Sequence, residues 1–329
     1  MKLLTRSDIQ RSIGMTSAIA AVRGVFRAYS AGLVDLPLRA QIPIPERDGV
    51  TLIMPGYLRD ERALGCKLVS IRPQNRASGL PTIQAVMVLL DEATGLPVAL
   101  LEAGFLTTLR TGAASGVATE VLSRRESRVL ACFGAGEQAA TQIEAVCAVR
   151  KIEQVWVQSR SDESASALAS RIKGQRGIPE DVRVAENPRQ ALAEADIVCT
   201  ATTSHTRVFD GRDLCPGTHI NAIGSSTPDT REVDPEVLRR AMIVVDSRDA
   251  CRTEAGDLLL AQREGAIDGP ESWTELGEIL LDRATGRLSD EEVTFFKSVG
   301  LAAQDLAVAR VALKEAERLG LGIELGGFR

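Results

Sequence analysis

The chain has 329 residues, with 44 acidic groups against 39 basic ones and a net charge of −5. That length allows two domains with ample cores. The charge balance offers no electrostatic ground for a nucleic acid or an anionic membrane as partner. The start "MKLLTRSDIQ" soon turns polar, so no signal-peptide core is expected, and the longest apolar runs, such as "AVMVLL", fall far short of a membrane span. A cytoplasmic protein is the expectation.

In chain order, residues 16–31 place Ile19, Val22, Val25, Phe26 and Tyr29 on one helical face, with Thr16 to cap the start and Gly32 to stop the end. After a proline-rich link come predicted strands at 50–54, 65–71 and 83–90. The last turns through "DEATG" into "LPVALLE", a hairpin by pattern. This first third is mixed α+β. Residues 107–123, "TTLRTGAASGVATEVLS", are helical in character and dense in small side chains, which let a helix approach another backbone or a ligand closely.

From residue 128 the rhythm changes to alternating strands and helices. Strands are predicted at 128–133, 154–158, 182–184, 196–202, 218–223 and 241–246, several of them continuous apolar runs. The fold class is therefore α/β, a Rossmann-type doubly wound domain beside an α+β part. Ser289 with Glu292 spells a capping box ahead of a long helical run from 293, interrupted at Gly300 and ended by Gly320. That final helix is expected to pack on the first third.

Six cysteines are scattered without a C-x-x-C pair and read as small buried hydrophobes. His205 and His219, with Cys199 and Cys215 nearby, match no zinc spacing, so no metal is expected. No G-x-S-x-G elbow supports hydrolase chemistry.

"VLACFGAGEQAATQ" (129–142) has both the spelling and the context of a dinucleotide turn. Gly134 permits the tight turn, Gly136 lets backbone N–H groups approach a pyrophosphate, and Ala139 allows close helix–strand packing. Glu137 and Gln138 complete the cofactor-facing segment. The second strand ends in Gln158, Ser159, Arg160 and Ser161, with the first acid, Asp162, arriving late. An NAD enzyme would place an acid there, whereas Arg160 with flanking hydroxyls suits a 2′-phosphate. NADP(H) is therefore the preferred cofactor, with NAD(H) as the other candidate, and hydride transfer is the reaction class. The turn lacks the Lys-Ser/Thr ending of a phosphate-transfer loop.

Such a reaction needs orientation and charge stabilisation at the carbon attacked. Arg39, Lys67 and Arg110 are the cationic candidates in the first third. Lys67 lies mid-strand between apolar neighbours, where an unpaired ammonium would be costly. Pattern alone slightly favours a lysine on a solvated sheet face.

"LRTGAASGVAT", "GAGEQAATQ", "INAIGSSTPDTREVD", "ELGEIL" and "FKSVGLAAQD", in this order over nearly the whole chain, resemble the ornithine cyclodeaminase/mu-crystallin family. The resemblance implies a substrate-binding and dimerisation domain from residues 1–120 with 301–329, a dinucleotide-binding domain at 121–300, and a homodimer formed largely through the first domain's sheet. It also implies that Arg39 and Arg110 grip a substrate α-carboxylate and that Lys67 serves the imine region and proton transfer. Thr111 would touch the cofactor phosphates, Thr200, Ala201 and Thr202 would border the cofactor, and the segment with Ser298 and Gly300 would lie near the nicotinamide.

Cyclodeaminases of that family carry two carboxylates that this chain replaces with Leu52 and Ser226, removing groups suited to an ω-ammonium and to general-base work. The resemblance then points to NADPH-dependent reduction of a cyclic imino acid, Δ1-pyrroline-2-carboxylate or Δ1-piperideine-2-carboxylate, to the L-amino acid. Alternatives are alanine dehydrogenase-like reductive amination of a 2-oxo acid, ornithine cyclodeamination, and a mu-crystallin-like NADPH-dependent ligand-binding protein. An aromatic content of 3% argues against a large aromatic ligand site.

Overall fold

A computed structural model describes residues 1–327. Its compact units are Met1–Arg110 joined by the chain from Leu301 onward, and Thr111–Gly300. The boundary at Arg110/Thr111 falls inside the helix Ala103–Leu122.

The first unit is built on a mostly antiparallel sheet. Among the described residues its order is Ile323–Glu324, Lys2–Leu4, Pro97–Glu102, Ile83–Leu90, Ala63–Ile71, Gly49–Leu58 and Val34–Asp35, with Ala40–Ile44 also pairing to Gly49–Leu58. The hairpin at Asp91 forms as its sequence suggests: the Asp91 carboxylate accepts the Thr94 N–H at 2.8 Å, and Gly95 takes a φ of 72°. Helices Met15–Ser30 and Ala302–Arg318 pack together, and the second lies against the central strands. Its approach needs glycine: a Cβ at Gly65 would overlap the Val88 carbonyl oxygen and stand 3.0 Å from Leu306. Thr16 does not cap the helix Met15–Ser30; Gly14 is the cap residue and Thr16 lies within the second position.

Strand alternation gives that sheet two different faces. Ala63, Gly65, Lys67 and Val69 point to the covered side, while Leu64, Cys66 and Leu68 point away from it. Leu68 pairs with Ile53 and Val86 on its own face, and Leu64 pairs with Tyr57 and Leu90.

The second unit is an all-parallel sheet in the order Val182–Val184, Gln154–Gln158, Val129–Phe133, Ile197–Thr200, His219–Ala222, Val293–Lys297, Ala241–Val245 and Thr274–Glu275. Numbered within the unit, the first five run 3-2-1-4-5, the doubly wound pattern. Alternate residues feed two cores. Ala131, Phe133, Val198 and Ile220 lie on one side, and Leu130, Cys132, Ile197 and Cys199 on the other.

One element differs from expectation. "VTFFK" is not the start of a helix but a strand, Val293–Lys297, inserted between His219–Ala222 and Ala241–Val245. All five residues are buried. A short strand covered on both faces lacks the period-2 alternation of a half-buried one, so periodicity does not separate "VTFFK" from a helix. The Ser289/Glu292 pair caps nothing; the Glu292 carboxylate instead accepts the Leu288 N–H at 2.7 Å. The helix begins at Ala302, after a turn in which Gly300 takes a φ of 85°.

His219 stands fully buried between strands, its Nδ1 2.9 Å from Thr294 Oγ1 and its Nε2 3.2 Å from Asn221 Oδ1. Burial, helped by the Arg287 charge, pushes its pKa down to about 3, so the ring is neutral at ordinary pH.

Candidate active site

In the first unit Lys67 lies on the covered face, only 1% exposed, against the solvated-face reading. Its Nζ donates to Asp305 Oδ2 at 2.7 Å and to Thr107 Oγ1 at 3.4 Å. Arg110 sits three residues beyond Thr107 on the same helix and donates from Nε to the other oxygen of Asp305, at 3.2 Å. Its Nη1 donates to Gln304 Oε1 at 2.9 Å. Arg39, half-buried ahead of the strand Ala40–Ile44, acts on Lys67 through its charge. The three cations chosen from sequence therefore do converge.

Sequence reasoning missed Asp305 and Gln304, although both stand in the quoted "AAQD". Burial alone would raise the Asp305 carboxyl, but Arg110 and Lys67 together hold it below the usual range, and it stays ionised. Burial pushes Lys67 down to about 8, aided by Arg110 and Arg39 and opposed by Asp305. The Gln304 amide must present its oxygen to Arg110, which only donates. Its Nε2 is then a buried donor with no partner among the described residues. A cluster of cations with a spare amide donor is suited to an anionic, carboxylate-bearing ligand.

In the second unit the glycine turn follows the strand Val129–Phe133 and opens the helix Glu137–Val149. Gly134 has a φ of 121°, and a Cβ there would overlap the Ala201 carbonyl oxygen, so only glycine fits. Among the described residues nothing lies within 4 Å of a Cβ built at Gly136, and no side chain caps the helix that it opens. Ala139 is buried against the sheet. An open, uncapped helix N-terminus beside a strained glycine, at the C-terminal edge where the strand order reverses, fits a dinucleotide pyrophosphate. Glu137 is exposed and Gln138 half-buried in its first turn.

The structure also brings the neighbouring strand ends to that turn. Gly134 N–H donates to the Gln158 carbonyl at 2.9 Å, which sets Ser159 and exposed Arg160 immediately after it. Ser161 caps the next helix through the Ser164 N–H. Ala201 stands beside Gly134, with Thr200 and Thr202 on either side. Thr111 is buried on the helix Ala103–Leu122.

Two buried carboxylates that the sequence did not reveal shape this edge. Glu232 accepts from Thr200 Oγ1 at 2.9 Å, Thr202 N–H at 2.6 Å, Gly224 N–H at 2.7 Å and Ser225 N–H at 3.2 Å. Asp246 accepts from Ser298 Oγ at 2.7 Å, Val299 N–H at 2.9 Å and Gly300 N–H at 2.7 Å. The hydroxyl protons of Thr200 and Ser298 thus go to carboxylates, and each loop is tied to its carboxylate by backbone N–H groups as well. Behind them Lys297 and Asp257 form a fully buried ion pair at 2.6 Å.

The ornithine cyclodeaminase/mu-crystallin family model matches residues 1–318. The chain belongs to that family. It is 39% identical to a Δ1-pyrroline-2-carboxylate reductase of Bacillus cereus over 323 residues, covering 98% of each chain. It is 35% identical to the ketimine reductase mu-crystallin of Mus musculus, covering 94% of this chain and 95% of that one. Among solved structures it resembles the Thermococcus litoralis Δ1-pyrroline-2-carboxylate reductase, determined with NADH and L-proline. That match has a TM-score of 0.95 at 40% identity and covers 99% of this chain and 100% of the other. This member of the family is accordingly an oxidoreductase of the imine- and ketimine-reductase class that depends on a nicotinamide dinucleotide, with a Rossmann-type domain and a second domain. No helix among its described residues is long and apolar enough to cross a membrane.

Proposed function

We propose that this enzyme reduces a cyclic imino acid, Δ1-pyrroline-2-carboxylate or Δ1-piperideine-2-carboxylate, to the L-amino acid, with NADPH preferred over NADH. The observation that carries the reading is the buried set of Lys67, Arg110 and Gln304 around Asp305, faced by Arg39. Arg39 and Arg110 supply cations for the substrate carboxylate, and the Gln304 amide supplies a further donor. Lys67, with a pKa near neutrality, is matched to give a proton to the imine nitrogen, which makes C2 a better hydride acceptor. When bound, the reduced dinucleotide supplies that hydride. Gly134, Gly136 and the N–H groups of residues 137–139 would hold its pyrophosphate. Thr111 and the segments 200–202 and 298–300 are proposed as further cofactor contacts. Leu52 and Ser226, in place of acids, leave no carboxylate there for an ω-ammonium, which supports reduction over cyclodeamination.

Exposed Arg160, flanked by Ser159 and Ser161, supports the preference for a 2′-phosphate. The deciding experiment follows NADPH and NADH oxidation with both cyclic imino acids, and with pyruvate plus ammonia. Turnover of an imino acid is expected, with a lower KM for NADPH, and Arg160→Ser should raise KM for NADPH while leaving that for NADH unchanged. Activity confined to pyruvate with ammonia would replace the reading with reductive amination. Tight binding without any turnover would replace it with a ligand-binding role.

The proposal includes a homodimer. Leu68, 41% exposed, stands in an apolar patch with Ile53, Val86, Leu64 and Tyr57 on the uncovered sheet face, a surface suited to a second copy of itself. Sedimentation should give twice 35.2 kDa, and Leu68→Asp should shift the protein toward monomer; a wild-type monomer would sink the idea.

A further inference from the structure

We propose that Asp305 is the positioning residue of this site: its two carboxylate oxygens hold Lys67 and Arg110 in separate places and keep the Lys67 ammonium charged, with one proton aimed at the substrate. The inference rests on the functional reading above and extends it to a residue that touches Lys67 rather than substrate. The charged groups facing Lys67 are Asp305 from the helix Ala302–Arg318, Arg110 from the helix Ala103–Leu122, and Arg39 from the segment before Ala40–Ile44. Two are cations, and Lys67 itself is only 1% exposed. Without an anion at this point, a buried lysine among arginines would shed its proton before any substrate arrived.

Hydrogen-bond arithmetic then directs the remaining proton. An ammonium has three N–H bonds. One goes to Asp305 Oδ2 at 2.7 Å. A second goes to Thr107 Oγ1 at 3.4 Å; that hydroxyl has already given its own proton to the Ala103 carbonyl at 2.7 Å and must accept here. The third is left for a ligand. In the proposed step this proton passes from Lys67 Nζ to the imine nitrogen, forming an N–H bond and leaving a neutral amine. Because Arg110 uses the opposite oxygen, Asp305 Oδ1, the two cations do not compete for one acceptor. The neighbouring Gln304 takes Arg110 Nη1 and fixes the plane of the guanidinium.

Asp305→Asn removes the charge and keeps the shape. The titration of Lys67 is read directly from the 13Cε resonance of lysine-labelled protein, assigned among the six lysines by its loss in Lys67→Met. Its midpoint, about 8 in the parent, should fall by about one to three pH units in Asp305→Asn. The alkaline limb of kcat with Δ1-pyrroline-2-carboxylate should move down with it, while KM for the imino acid changes much less than kcat. Asp305→Glu should restore the midpoint toward the parent value. A merely structural role would lower the yield of folded protein without moving the midpoint. If Asp305→Asn does not fold, Asp305→Ser provides the same neutral comparison. An unchanged or higher Lys67 midpoint in a folded neutral variant overturns the proposal. Absence of imino-acid turnover by the parent would instead overturn the functional reading, and the resonance would still decide the role of Asp305.

Discussion

Lys67→Met is expected to lower kcat for the cyclic imino acid by about 10²–10⁴-fold, the contribution of a positioned proton donor. Methionine keeps the length and the buried, apolar character of the stem but carries no proton to give. The lysine occupies a central strand on the covered face, 1% exposed, so water cannot readily substitute for it. Asp305 retains its bond from Arg110 in the variant, so one counter-charge remains and the fold should persist. Dinucleotide affinity should stay at the parent value, because Lys67 lies outside the glycine-turn unit. Steady-state rates at saturating cofactor, with fluorescence titration of NADPH, separate these effects. A parent-like kcat in the variant would remove Lys67 from the chemistry.

Asp257→Ala should destabilise the protein by about 3–5 kcal/mol, the usual cost of stranding one member of a buried ion pair. Lys297 would lose its 2.6 Å partner with both groups fully buried, and the N–H groups of Glu232 and Val233 would lose the oxygen they share at 2.7 and 3.0 Å. Against a total stability of about 5–15 kcal/mol that loss is large. The effect should reach the cofactor edge too, since Glu232 holds Thr200, Thr202, Gly224 and Ser225. Replacing both partners, Asp257→Leu with Lys297→Met, should cost less than Asp257→Ala alone, because no charge is then left unpaired. Denaturant midpoints decide this; a single variant that unfolds with the parent would show the pair to be of little consequence.

Much of the second unit was legible because its signals are local. A strand, a glycine pair and a helix start lie within fourteen consecutive residues, 129–142, and several later strands are short apolar runs bounded by turn residues. The strand Val293–Lys297 escaped because "VTFFK" shows no period-2 alternation and runs on into helix-like sequence. Arg39, Lys67 and Arg110 were visible as cations in unusual places, yet nothing local told a buried lysine from a solvated one. Glu232, Asp246 and Asp257 carry no local mark of burial, because Thr200, Ser298 and Lys297, which bond them, lie 32 to 52 positions away along the chain.

The doubly wound sheet, the glycine turn at Gly134 and the family to which the chain belongs follow from the order of the amino acids alone. These depend on neighbours along the chain and on motifs in fixed order. The burial of Lys67, and its counter-ion Asp305, 238 positions away, emerge from packing between distant elements. That pairing depends on Gly65 and on a helix packed across its strand. The charge state of a buried group is set by what the fold brings to within a few ångströms, and sequence spacing carries no record of that distance.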